Sequence, residues 1–366
     1  MKSNPFKYGS IVDVPYFFNR KKEIEKVKSI LNSQNHLIII SPRRYGKTSL
    51  INQVLKQVKR PSIFIDMQMI TSVNDLAEHL LKKLYALYPH QKLKHLVKNF
   101  RIIPSINLNP ATNEVEISFT QKKADILPLE DVLNLFDKLG DKKKGKLIVV
   151  FNEFQDILRI EKRLDFNLRS ILQHHKNVNY VFSGSQESMM REIFEKKRSP
   201  FYHFGFLYPL DKIQKREFVK FIDESLKHMA VNHNQLAEQI VELAELHPYY
   251  TQQLAFNTWE VLNRDKDNKA PVDTAIAEII QYHDYDYEQI WNTLKRTDMK
   301  IMIGMAVSDI SPLSSEFTTE YNPGPTSTVF SSIKRLMKNG FVVKSNNKYV
   351  IDNPFFKRWI VYRRKA

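Results

Sequence analysis

No cysteine occurs in the 366 residues. That removes disulfides, thiolate zinc sites and thiol nucleophiles together, leaving histidine, carboxylates and hydroxyls as the reactive groups. Long apolar runs are missing as well. Nothing approaches the roughly 18 consecutive apolar residues of a membrane span, and the opening "MKSNPFKYGS" has no apolar h-region. The expectation is a cytoplasmic protein with no membrane partner. Repeats and low-complexity tracts are absent too. Acidic residues are in short supply: 40 Asp+Glu face 56 Lys+Arg, a net charge of +16. Such an excess commonly goes with polyanionic partners. It is unevenly placed, since Lys295 to Ala366 hold 13 Lys/Arg against 5 Asp/Glu, half of the net charge. What is plentiful is apolar residue, 42 %, enough for cores in two or three domains.

Periodicity divides the chain. "NPFKYGSIVDVPYF" reads as an extended lead-in, and "NRKKEIEKVKSILNSQ" follows with Ile24, Val27, Ile30 and Leu31 at helical spacing. "HLIII", "PSIFIDM", "LIVVFNE" and "VNYVFSGS" are short apolar runs with helical patterns between them, which predicts an α/β fold with a parallel sheet flanked by helices. Residues 101–121, "RIIPSINLNPATNEVEISFTQ", alternate apolar and polar around Asn-Pro-Ala-Thr-Asn and predict an inserted β-hairpin. Beyond "FYHFGFLYPLDKI" the pattern is helical to about residue 300. "PTSTVFSSIKRLMKNGFVVKSNNKYVI" then reads as a helix and two short strands around Ser345-Asn346-Asn347, the outline of a winged helix-turn-helix. The expected domains are 1–210, 211–294 and 295–366.

The stretch "IIISPRRYGKTSLI" carries the chemistry. The phosphate-cradling loop is G-x-x-x-x-G-K-[ST], and here Ser41 replaces the first glycine while Gly46, Lys47 and Thr48 are in register. A strand ending in a loop that opens a helix aims backbone N–H groups and the positive helix end at one point, which suits a phosphate. Ser41, Pro42, Arg43, Arg44, Tyr45, Gly46, Lys47, Thr48 and Ser49 are the candidate binding residues. Lys47 would meet the β/γ-phosphates and Thr48 would offer its hydroxyl to Mg²⁺. Gly46 occupies a place where a Cβ would crowd the ligand. The strand "KLIVVFNEFQDI" ends in Asn152-Glu153. Glu153 fits a residue that orients and deprotonates an attacking water. Asn152, in the metal-shell position, offers a neutral carbonyl where a carboxylate suits a hard cation better. "VFSGSQESMM" sets Ser183, Ser185 and Gln186 at the end of the next strand, where a polar group could sense a γ-phosphate.

The blocks "NPFKYG", "FFNRKKEIEKV", "SPRRYGKTSLI", "FNEFQDI", "YVFSGSQESMM", "SPFYHFG", "HPYYTQQLA" and "DNPFFKRWI" together resemble the prokaryotic AAA-type ATPases related to archaeal ATPases and, more distantly, to STAND and origin-recognition ATPases. The resemblance implies a P-loop ATPase core, a helical lid and a C-terminal winged helix, with "SPRRYGKTS" a tolerated variant of the loop. It implies that Asn19 and Arg20 lie near the base or ribose and that His247 and Pro248 approach the nucleotide. Two positions depart from the family pattern. Asn152 stands for the usual Asp, and His203 stands where an arginine is frequent, leaving Arg198 and Arg191 as arginine-finger candidates.

The expected function is a Mg-ATP-binding switch that hydrolyses ATP to ADP slowly and in which Asn152→Asp raises the rate. Duplex DNA would meet Lys334, Arg335, Lys344 and Lys348. The alternatives are a DNA-binding module with a vestigial nucleotide site, or an adaptor whose winged helix meets protein or a second copy of the chain.

Overall fold

The computed structural model describes residues 3–33, 35–108, 115–119, 126–140, 145–345 and 348–364. The expected turn at 109–113 lies outside them. The chain forms two compact units, one of residues 20–42 and 47–210, the other of residues 1–19, 43–46 and 211–366.

The first unit is built on a parallel sheet of five strands: β1 (Leu37–Ile40), β2 (Ser62–Asp66), β5 (Leu147–Asn152), β6 (Val178–Gly184) and β7 (Phe206–Pro209), in the order β2-β5-β6-β1-β7. Each neighbouring pair is parallel. Strands β5 and β6 are buried at every residue, which is why both read as continuous apolar runs: helices cover both faces of a parallel sheet. The edge strand β2 instead alternates buried and half-buried residues. Phe151, Phe154, Phe182 and Phe201 meet in the core with ring centroids 4.6 to 6.0 Å apart. Truncating one of these rings would cost about 3–5 kcal/mol. Between β2 and β5 the antiparallel hairpin β3 (Ser105–Leu108) and β4 (Val115–Ser118) is inserted. Phe119, buried just after β4, donates its backbone N–H to Glu78 of the helix Val73–Leu87 at 3.0 Å, so the hairpin is seated on that helix.

The second unit is helical, from Lys215–Leu226 onward, and ends in the hairpin β8 (Val342–Ser345) and β9 (Lys348–Ile351) followed by the helix Pro354–Arg364. Phe6 enters its core and meets Phe221 edge-on at 5.7 Å. In the C-terminal part, Ile301, Phe317, Val329, Ile333, Leu336 and Trp359 form the buried centre. Gly304 is required there by close approach, because a Cβ would lie 2.4 Å from the Phe317 ring. Among the described residues no helix is long and apolar enough to cross a membrane.

Candidate phosphate and nucleotide site

Strand β1 ends at Ile40 and the helix Lys47–Val58 begins at Lys47, so residues 41–46 are the loop between them. Arg44 and Gly46 have φ of 64° and 88°. Apart from the chain neighbours, no protein atom lies within 4 Å of a Cβ built on Gly46, so within the protein the demand for glycine there comes from the left-handed backbone. Lys47 is 5 % exposed, and its ammonium donates to the carbonyls of Ser41 at 2.9 Å and Pro42 at 2.8 Å and to Ser41 Oγ at 3.3 Å. The hydroxyl and carbonyl of Ser41, the residue in place of the first glycine, thus both hold the lysine. Thr48 is half-buried at the second position of the helix, and Ser49 is buried after it.

The C-terminal ends of three adjacent strands carry a polar ladder. Asp66, Asn152 and Ser183 lie in register across β2, β5 and β6. Asn152 Nδ2 donates to Asp66 Oδ2 at 3.0 Å, and Ser183 Oγ donates to Asn152 Oδ1 at 2.8 Å. The other oxygen of Asp66 accepts from the backbone N–H of Gln68 at 3.0 Å. A carboxylate only accepts, so the amide nitrogen must face Asp66 and the carbonyl must face β6.

Glu153 follows directly, in left-handed backbone with φ 51°. Its Oε2 accepts from Ser185 Oγ at 2.6 Å, Ser185 N at 3.1 Å and Gln155 Nε2 at 2.7 Å. Gln155 is fully buried, and Gly184 leaves room for it, since a Cβ there would lie 2.4 Å from Gln155 Oε1. The two serines expected beside one crevice therefore divide the work: Ser183 holds Asn152 and Ser185 holds Glu153. Arg20 is buried in left-handed backbone and paired with Glu23 at 2.8 Å. Arg191 pairs with Glu195 at 3.0 Å, and Arg198 is exposed beyond the helix Glu187–Glu195. Among the described residues no hydrogen bond joins either arginine to Glu153.

Within the helical unit, loop residues Arg44 and Tyr45 pack on the start of the helix Pro248–Arg264. Arg44 Nη1 donates to Tyr250 OH at 2.8 Å and its guanidinium lies 4.7 Å from the Tyr249 ring centre. Tyr45 meets His247 edge-on at 5.0 Å. His247 is 2 % exposed and 3.7 Å from Asp352. Burial lowers its pKa, against the pull of that carboxylate. Pro248 sits in the first turn of the helix, where its missing N–H costs nothing.

The four C-terminal cations differ. Arg335 is engaged by Asp298, with Nη2–Oδ1 at 2.6 Å and Nε–Oδ2 at 3.0 Å, and Ser332 also donates to Asp298. Asp298 is 2 % exposed. Burial pushes its pKa up, but Arg335 and Ser332 outweigh this and hold it below the usual carboxylate range. Lys334, Lys344 and Lys348 are exposed, with Lys334 lying 4.4 Å over the Phe330 ring.

A parallel sheet with this strand order, a loop of this form after β1, and a C-terminal winged helix define a P-loop ATPase of the α/β class. The chain belongs to the family of ATPase domains found predominantly in Archaea, whose profile it matches over residues 17–254, and residues 285–362 match a probable winged helix domain. It is 27 % identical over 199 residues to an ATP-binding protein of Methanocaldococcus jannaschii, covering 50 % of this chain and 48 % of that one. The chain spans about half the length of the curated relatives it matches. A Walker-type ATPase of Pyrococcus abyssi superposes with a TM-score of 0.67 at 19 % identity, covering 95 % of this chain and 97 % of the other. The Aeropyrum pernix ORC1 protein, solved in complex with DNA, superposes with a TM-score of 0.52 at 12 % identity, covering 99 % and 98 %.

Proposed function

We propose that this protein binds Mg-ATP through residues 41–49, hydrolyses it slowly with Glu153 as the base, and uses the nucleotide state to switch its winged helix. The observation that carries the reading is the ammonium of Lys47, held against neutral loop carbonyls at 2.8 and 2.9 Å. A phosphate offers the same ammonium a full negative charge, a stronger acceptor than either carbonyl. Lys47 and the loop N–H groups bind and orient the phosphates, and Glu153 takes the proton of the attacking water. Three hydrogen bonds to Oε2 hold the Glu153 carboxylate in place, and Oε1 is the oxygen that would take the proton.

Thr48 through its hydroxyl and Asn152 through its carbonyl would hold Mg²⁺, both oxygen donors of the kind a hard cation takes. Mg²⁺ keeps several waters and is usually held through one or two protein groups, so no dense carboxylate cluster is needed. When bound, the ion neutralises charge on the β and γ oxygens. The kinship with an ATP-binding protein of M. jannaschii supports the nucleotide. For duplex contact we assign Lys334, Lys344 and Lys348, whose placement on helix and wing matches a phosphate-contacting surface. Arg335 we assign to its pair with Asp298. The fold shared with a protein solved on DNA supports the duplex assignment of the three lysines. An adaptor role for the same surface is the second reading, favoured by the loss of Arg335 from the set of outward cations. Phosphate release at saturating ATP and Mg²⁺ tests the enzymatic part, with Glu153→Gln as the blank. A rate equal to that of the blank would reduce the protein to a nucleotide-binding module.

A further inference from the structure

Asn152 looks like a defect only while β5 is considered alone. Resting on the Mg-ATP reading, we propose that Asp66 supplies the charge that Asn152 lacks, acting as a positioning residue that fixes the amide of Asn152 with its carbonyl oxygen directed toward β6 and away from β2. Three observations carry this. The ladder has one polarity, Ser183 to Asn152 to Asp66, set by the fact that the terminal carboxylate can only accept. Asn152 and Ser183 are 5 % and 0 % exposed, so the charge at Asp66 acts across a poorly hydrated span where polarised hydrogen bonds strengthen one another. Asp66 is itself fixed, because its second oxygen caps Gln68 N and leaves the first for the ladder. Strand β6 lies between β5 and β1, the strand that leads into the phosphate loop. The carbonyl of Asn152, which accepts from Ser183 Oγ, thus lies on the side of β5 where the loop's strand lies, the side from which it would help hold the metal.

The same geometry explains why asparagine stands at 152. An aspartate there would set two carboxylates about 3.0 Å apart across β2 and β5, and two carboxylates sharing a site cannot both ionise cheaply. The two would repel each other, and the expected gain in rate from Asn152→Asp alone would not appear. That revises the expectation drawn from the sequence: the missing charge has moved one strand over, and restoring it in place breaks the pair.

The test is a four-protein cycle: the unmodified chain, Asp66→Asn, Asn152→Asp, and the double exchange Asp66→Asn/Asn152→Asp. Mn²⁺ affinity is read by electron paramagnetic resonance on protein loaded with a non-hydrolysable ATP analogue, at one neutral pH. Metal-free binding of the analogue is measured separately by calorimetry. Asp66→Asn should weaken Mn²⁺ by about tenfold or more, the usual cost of losing a group that orients a metal's surroundings. Metal-free binding should be unchanged. Asn152→Asp alone should bind Mn²⁺ no more tightly than the unmodified chain, because its carboxylate would face that of Asp66. The double exchange should recover unmodified affinity, a rescue a merely structural role would not produce. Unchanged Mn²⁺ affinity in Asp66→Asn, or a double exchange no better than its worse parent, would overturn the proposal. Absence of metal-free analogue binding in the unmodified chain would instead sink the nucleotide reading.

Discussion

Replacing Arg335 by Met keeps most of the stem and removes the fork that holds Asp298, so it isolates the charge. The carboxylate left behind is 2 % exposed and, among the described residues, keeps Ser332 and the backbone N–H of Lys295 as donors. Breaking a buried pair from one side costs about 3–5 kcal/mol. The Arg335 side chain is 35 % exposed, and solvent screens that fraction, which lowers the expectation to about 2–4 kcal/mol. With a urea slope of about 1–3 kcal/mol/M, the midpoint should drop by roughly 1 M or more. Trp291 and Trp359 lie in the same core as the pair, so their fluorescence reports it. Lys344→Met, on an exposed wing residue, should stay within about 0.5 kcal/mol. The pH dependence has a definite sign. The folded pKa of Asp298 lies below its unfolded value, so the pair's contribution is present above the unfolded value of about 3.9 and fades as pH falls through the folded one. The gap between Arg335→Met and the unmodified chain should therefore narrow below about pH 4. An unchanged midpoint at pH 7, together with a large loss of duplex affinity, would refute the assignment and return Arg335 to the binding surface.

Three further outcomes follow from the same geometry. His36 accepts the backbone N–H of Tyr180 at 3.2 Å, and burial, with Lys146, Arg169 and His175 nearby, lowers its pKa to about 4. The unfolded chain then binds the extra proton, so stability should fall as pH drops from about 6.5 toward 4, and His36→Gln should flatten that slope in urea titrations. Replacing Lys334, Lys344 and Lys348 by Ala should weaken duplex binding and reduce the log–log salt slope by about 0.9 for each phosphate no longer neutralised, with an unchanged slope pointing to the adaptor role. Glu153→Gln should bind ATP with near-normal affinity while phosphate release falls by about 10²-fold or more, and parity of rates would remove Glu153 as the base.

The sheet was legible because β5 and β6 are covered on both faces, which writes them as unbroken apolar runs such as "LIVVF". The loop was legible because Gly46, Lys47 and Thr48 keep their spacing even with Ser41 in place of glycine. Asp66 was not, since a strand-end aspartate becomes informative only once register sets it beside Asn152, 86 positions away. Arg335 shows the converse limit. A cation on a helix near a wing reads as a nucleic-acid contact, and nothing in its neighbourhood reveals that a carboxylate 37 positions earlier has engaged it. The division between Ser183 and Ser185 was hidden for a similar reason, as alternate residues at the end of β6 reach different partners.

Calorimetric titration of ATP into the unmodified chain and into Lys47→Ala tests the central claim most directly. Removing the ammonium removes a charge-assisted hydrogen bond of roughly 1.5–3 kcal/mol, so affinity should fall by about tenfold or more. Equal affinity of the two proteins, or no heat from either, would contradict the account.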